Sequence, residues 1–259
     1  MPSIIYAARD KVAEITLNEP EKRNPLNKTL VGEFRAALDQ ASADPDVNVV
    51  LLSAAGDSFC AGGDLREFQD FRSRDVGEIY DEGRGTAGLL DALSSFPKPI
   101  VAAVNGPALG GGFGIVCACP IVVASDKARF GATELRLGLF PLVIMPSMRA
   151  ALGDRKALAM SLTGEIIGVD AAHELGLVTK IVAPEAVATE AGAIAARIAA
   201  ASPYALRLGV EAFRNTTGMT GAEAISYMNA IRVMFYHSED LQEGASAFLE
   251  KREPQWRGR

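Results

Sequence analysis

Apolar residues fall in short blocks through most of this chain and then, towards its end, at helical spacing only. Residues 4–7 and 12–17 are apolar or alternating, and the charged stretch Arg9-Asp10-Lys11 between them predicts a hairpin. Residues 18–27 form a loop rich in Pro, Glu, Lys and Asn. Asn27 stands where a helix cap belongs, and Leu30, Phe34, Ala37 and Leu38 then share one face. Asp44-Pro45-Asp46 ends that helix, and residues 49–53 read as a strand. Residues 65–96 are mostly helical and charged at first, through Arg66, Glu67, Asp70, Arg72, Arg74, Asp75 and Glu78, with Gly83 and Gly85 interrupting. Such a run is either a solvated helical hairpin or a lid over a pocket. The continuous apolar run of residues 99–104 predicts a short buried strand, and residues 120–124 another. A short turn bearing Glu134 follows. Helices are expected over 149–163 and 170–175, and a strand over 178–182. Beyond residue 184 the pattern is helical throughout: 185–201, 203–214, 222–235 and 239–251.

Two strands lead into glycine-rich turns. After residues 99–104, Asn105-Gly106-Pro107 breaks the chain, and Gly110, Gly111 and Gly112 open an apolar helix. After residues 49–53 comes Ser58-Phe59-Cys60-Ala61-Gly62-Gly63-Asp64-Leu65, opening a polar one. Glycines let the backbone approach closely, and the first N–H groups of a helix lack internal partners. One such turn is either tight strand–helix packing or a cradle for an oxygen carrying negative charge. Two such turns can aim one N–H each at the same oxygen, which is how an oxyanion hole is made. Neither turn fits the dinucleotide register G-x-G-x-x-G, and no Lys-Ser/Thr pair marks a P-loop.

Composition narrows the picture. Nearly half of the 259 residues are hydrophobic, ample for one large core with an appendage. The net charge of −6 argues against a nucleic-acid partner held by phosphate attraction. Cys60, Cys117 and Cys119 are odd in number and imply no disulfide framework, and Cys117-Ala118-Cys119 lacks a second Cys/His pair for zinc. No metal site is expected. With no leader pattern and no apolar run of membrane-spanning length, the expectation is a cytoplasmic protein without a membrane partner. His173 and His237 have no motif partner, and His173 reads as structural.

The stretches FCAGGDL (residues 59–65), NGPALGGG (105–112) and FGATELRLGLFP (130–141) resemble the signatures of the crotonase superfamily, the enoyl-CoA hydratases and isomerases. The three occur in the right order, and the resemblance covers nearly the whole chain. It implies an α/β fold: a spiral of ββα repeats with the acyl-CoA site over residues 1–200, then a helical trimerisation segment over 201–259. The partners implied are an acyl-CoA substrate and other copies of the chain in a homotrimer or hexamer. Coenzyme A enters as part of the substrate, and no other cofactor is implied.

Residue by residue, the resemblance makes the N–H groups of Ala61 and Gly111 the oxyanion donors and Glu134 the acid/base. Gly62, Gly63, Asp64, Leu65 and Gly110 are then substrate contacts. Lys22 and Arg23 match a basic position for coenzyme A, and Phe248 and Lys251 a C-terminal pair that reaches it, often across a subunit boundary. Read from the residues alone, Glu134 is better explained by a salt bridge to Arg136 or Arg129, and Lys251-Arg252 equally well by a basic helix end.

Two positions depart from the family pattern. Hydratases of the family carry a second glutamate three residues past the oxyanion glycine; here that residue is Gly114. One carboxylate suffices to shift a double bond, so isomerisation is expected ahead of hydration, unless Glu67, Asp70 or Glu78 supplies a second. Where the family carries a glycine-rich run, this chain has the bulkier Pro141-Leu142-Val143-Ile144-Met145-Pro146. The alternative function is a CoA-binding or interaction protein on the same scaffold.

Overall fold

The structure, a computed structural model, describes residues 1–70 and 73–259, the side chains of Phe68 and Asp70 excepted. Arg72 and the Asp70 carboxylate, both part of the charged run, therefore lie outside the described groups. β1 (Ile4–Arg9) and β2 (Val12–Leu17) form the expected hairpin, with Ile4 opposite Leu17 and Arg9 opposite Val12. Asp10 and Lys11 both have positive φ, the backbone that matches a two-residue turn to the strand twist. α1 (Lys28–Ala43) starts where Asn27 accepts the Leu30 N–H at 2.9 Å.

β3 (Val49–Ala54) leads through the first glycine turn into α2 (Leu65–Asp70) and α3 (Val76–Ser94). α3 runs unbroken through Gly83 and Gly85, contrary to expectation. An isolated glycine weakens a helix by about 1 kcal/mol without ending it, and the packing of α3 on α1 outweighs that.

β4 (Ile100–Val104), β5 (Ala108–Leu109) and α4 (Gly111–Ala118) carry the second glycine turn. Next come β6 (Ile121–Ser125), β7 (Arg129–Gly131) and a short 3-10 turn, Glu134–Leu137. α5 (Met145–Thr163) starts four residues earlier than expected and is kinked at Gly153 (φ 75°). β8 (Ile166–Gly168), α6 (Val169–Glu174) and β9 (Lys180–Val182) precede α7 (Val187–Ala199), α8 (Pro203–Asn215), α9 (Gly221–Tyr236) and α10 (Glu239–Glu250).

Six strands form the main sheet in the order β1-β2-β3-β4-β6-β9, parallel from β2 onward. Alternate residues face two cores. Val50, Leu52, Ile100, Ala102 and Val104 join the larger, with Phe34, Phe59, Phe113 and Phe130. Val49, Val101, Ala103 and Val123 face α7, which covers them with Val187, Ala191, Ala195 and Ala199. β4 is buried on both faces, hence its unbroken apolar sequence. A second sheet, β5-β7-β8, was not foreseen, because strands of two and three residues are too short to show a period. It brings the Gly110 N–H onto the Gly131 carbonyl at 2.9 Å and so ties the second glycine turn to the stretch leading to Glu134. His173 is structural, its Nδ1 2.6 Å from the Val178 carbonyl.

Packing changes character after α7. Within α8, α9 and α10 only Ala212, Asp240 and Ala247 are buried. The C-terminal tail folds back onto them. Asp240 accepts from the N–H groups of Arg257 (2.6 Å) and Gly258 (3.0 Å) and from the Ser202 hydroxyl (2.5 Å), while the Trp256 indole donates to the Ala200 carbonyl at 2.7 Å. Among the described residues no helix is long and apolar enough to cross a membrane.

Candidate active site

The two glycine turns lie against each other. Residues 58–63 pair as single bridges with Ala108 on one side and Leu26 on the other. A side chain at Gly62 (φ +94°) would press on the Leu109 carbonyl at 3.0 Å and the Gly111 nitrogen at 3.4 Å, so glycine is needed both for its backbone angle and for the approach of the second turn. Gly112 packs as closely on the first turn: a Cβ there would meet the Cys60 carbonyl at 2.5 Å.

Ala61 departs from expectation as an oxyanion donor. Its N–H donates to the Arg23 carbonyl at 3.0 Å, so the first turn spends that donor on its own fold. The N–H groups of Gly63 and Gly111 have no protein acceptor among the described residues. Gly111 opens α4, where the first N–H groups have no carbonyl four residues back.

Both turns open onto a cavity of about 870 Å³. Ala61, Gly62, Gly63, Leu65, Gly110, Gly111 and Glu134 all line it. Glu134 stands just beyond β7, and its Oε1 is 3.4 Å from where a Gly110 Cβ would be. Its Oε2 is buried without a hydrogen-bond partner. Burial pushes its pKa up, against a weaker opposing hydrogen bond from its own backbone. The salt-bridge reading does not hold. Arg136 donates to the Gly164 carbonyl at 3.1 Å and Arg129 to the Ala128 carbonyl at 2.9 Å. Cys60 and Cys119 are buried and their thiols are pushed up to about 12, so neither is a nucleophile at neutral pH.

Other expected contacts do not line the cavity. Asp64 turns to Arg66, accepting from its Nε at 3.0 Å and Nη2 at 2.8 Å, and that bond holds its carboxyl below the usual range. Lys22 pairs with Glu19 at 3.1 Å, and Arg23 contributes the carbonyl that holds Ala61. Phe248 and Lys251 lie at the end of α10, with Phe248 84% exposed. None of these five is brought to the cavity within one chain.

Several lining residues were not foreseen. Ile79, Glu82, Gly83 and Thr86 recur at helical spacing and present one face of α3 to the cavity, so the charged segment is in part a cavity wall. That spacing was visible in the sequence but was masked by the charges around it. Of the candidate second carboxylates, Glu67 lines the cavity and accepts the Lys28 N–H at 3.2 Å, whereas Glu78 does not line it. Glu82 is tied to Arg74 at 2.7 Å, a bond that lowers its pKa. Leu142, Val143 and Ile144 bring the unusual apolar run into the wall, beside Phe140. Gly114 is buried, and a Cβ there would collide with Ile144, 2.8 Å from its Cβ, and approach Leu90 at 3.5 Å. Among the described residues no group of three or more His, Cys, Asp or Glu side chains could hold a metal.

The enoyl-CoA hydratase/isomerase family model matches residues 7–259. The mevalonyl-coenzyme A hydratase of Aspergillus fumigatus is 35% identical over 94% of this chain and 90% of its own. The 2,3-dehydroadipyl-CoA hydratase of Escherichia coli is 32% identical, each chain covered completely. The crystal structure of an enoyl-CoA hydratase from Bacillus anthracis superposes with a TM-score of 0.93 at 30% identity, over 99% of this chain and 100% of that one. With this fold and these turns around one cavity, the chain belongs to the enoyl-CoA hydratase/isomerase family of acyl-CoA enzymes.

Proposed function

We propose that this enzyme forms and quenches a thioester enolate and uses it to move a double bond of an enoyl-CoA. Gly63 and Gly111 are the oxyanion donors in this reading, and Glu134 carries the proton. The carboxylate takes a proton from C2 of a 3-enoyl thioester, and the electron pair spreads onto the thioester oxygen held by the two N–H groups. The C2=C3 bond forms as the Glu134 carboxylic acid returns the proton to C4. Two fixed donors in a dry site contribute roughly 3–4 kcal/mol each to such a transition state. The observation that carries the reading is Glu134: a carboxylate beside the glycine turns, with one buried oxygen unpartnered and its proton affinity raised by burial. The same observation weighs against a non-catalytic binding protein, which has no use for an unpaired buried carboxylate.

Hydration is the second reading, favoured by the names of the relatives. Against it stands Gly114, which supplies no second carboxylate to hold a water. Incubation with 2-enoyl- and 3-enoyl-CoA panels separates the two. Isomerisation interconverts the panels at constant mass, and hydration adds a water to the 2-enoyl compounds. Efficient hydration without isomerisation overturns the first reading.

We further propose a trimer, or a pair of trimers, in which Phe248 and Lys251 complete the coenzyme A site of a neighbouring copy, with Lys22 and Arg23 reaching its phosphates. Coenzyme A is part of the substrate, no other cofactor is needed, and the setting is cytoplasmic.

A further inference from the structure

The space left by the missing side chain at position 114 is filled by another residue. Ile144, 2% exposed, sits directly before α5 and wedges its branched Cβ against Gly114, with Leu90 behind. It also lines the cavity. Gly110, beside the Glu134 carboxylate, caps α4, and the Gly114 N–H donates to its carbonyl at 3.1 Å. Ile144 and Glu134 therefore border the same stretch of cavity.

A water held there needs two to four polar partners. Glu134 offers one unpartnered oxygen; on the side of position 114, which has no polar side chain, the cavity wall is Ile144. A wall of this kind suits a carbon chain and gives a water no second contact on that side.

We propose that Ile144 is the specificity-determining residue of this site: by filling the space beside Gly114 it keeps water from being held opposite Glu134, so the proton is passed between carbons. This rests on the enolate chemistry proposed above. It assigns to Ile144 what the bare absence of a carboxylate leaves open, because space opened at Ile144 would join the cavity that Glu134 and Glu67 both line, where a water has polar partners.

Four variants test it. Ile144→Ala opens the wall, Gly114→Ala drives a methyl into Ile144, and the double variant lets that methyl occupy the opened space. Gly114→Ala should melt several degrees below wild type, and adding Ile144→Ala should recover part of the loss. With a 2-enoyl-CoA in ¹⁸O-labelled water, Ile144→Ala should raise labelled 3-hydroxyacyl product relative to isomerised product on the order of 10-fold, a change of about 1.36 kcal/mol in the relative barrier. The double variant should lower that ratio again. Ile144→Val, with one methyl fewer, should shift it in the same direction by less and serves if the alanine variant does not fold.

An unchanged product ratio in a folded Ile144 variant overturns the assignment, as does Gly114→Ala melting with wild type. Wild type that turns over neither enoyl-CoA panel overturns the enolate reading itself and this proposal with it. Wild type that is active while the Ile144 variants keep its ratio overturns this proposal alone.

Discussion

The molecule is held together in two different ways on either side of Ala200. Before it, most strands and helices pack into two apolar cores, and Gly106, Gly111, Gly112, Gly114 and Gly131 are fixed by neighbours closer than a methyl group allows. After it, three long helices bury almost nothing, and large apolar side chains such as Phe213 (74% exposed), Ile225 (73%) and Phe248 face outwards. That region is kept in place by polar bonds converging on Asp240 and the tail. A packed core fixes donors and a carboxylate to within fractions of an ångström, as catalysis requires. A half-uncovered helical segment instead offers a large apolar surface for a partner to cover. Chemistry is thus expected from the first region and assembly from the second, and each can be perturbed without the other.

The largest effect is expected at Glu134. Glu134→Gln keeps the shape and removes the proton carrier, so turnover should fall by roughly 10²–10⁴ while the mass in solution and the affinity for coenzyme A stay unchanged. Equal activity in the glutamine variant would remove Glu134 from the mechanism. In wild type, kcat/KM should drop on the acid side with an inflection above 4.5, the ordinary value, because burial raises this pKa. The stability term has the opposite sense. The folded state holds this proton more tightly than the unfolded chain, so the contribution is full below the unfolded pKa and is lost as pH rises through the folded one. Glu134→Gln should not show that loss.

Asp240 tests the second region. Its carboxylate satisfies two backbone N–H groups and the Ser202 hydroxyl from a site that is 3% exposed. Asp240→Ala leaves these donors without an acceptor, at a cost of about 3 kcal/mol. Amide exchange should accelerate at Arg257 and Gly258 while amides of β3 and β4 stay protected. Uniform acceleration through the main sheet would mean that the two regions unfold as one.

Much of the first region was legible because its signals are local and redundant. The hairpin turn, the Asn27 cap and the doubly buried β4 follow from spacing and residue type alone. The three motifs place the two turns and Glu134 in one cavity. Ala61 was misjudged because a motif names residues without saying where each N–H points. Only the path of the loop at residues 23–26 shows that Arg23 takes that donor. The β5-β7-β8 sheet and the contact of Ile144 with Gly114 join residues far apart in sequence, and no period encodes such a meeting. In the second region helix positions were readable. The Asp240 latch was not, since a carboxylate near the start of α10 reads equally well as an ordinary dipole-favouring charge.

Assembly should respond to Phe248. If the end of α10 inserts into a neighbouring copy, Phe248→Ala loses the burial of an aromatic side chain, about 2 kcal/mol. KM for an acyl-CoA should rise by roughly 10-fold to 30-fold, with kcat less affected, since no reacting atom is touched. Light scattering on wild type should give a trimer or a multiple of it. A monomer with unchanged KM in the variant would separate α10 from the site altogether.

The smallest effect comes from making one substitution on both sides of the divide. At Gly114, in the core, a methyl group runs into Ile144, so alanine should destabilise. Gly209 lies in the interior of α8, and a Cβ there meets nothing within 4 Å in its own chain. Alanine is the better helix former, chiefly because the unfolded chain has less freedom to lose, so Gly209→Ala should stabilise by about 0.5–1 kcal/mol. For a chain of this size that is an upward shift in melting temperature of about 1–4 °C. The gain holds only where the space is open in the assembled protein. If another copy packs its backbone against Gly209, the added methyl should lower the melting temperature and weaken association, which a dilution series by light scattering would register. The sign of this one change therefore says whether this face of α8 is free surface or the surface on which copies meet.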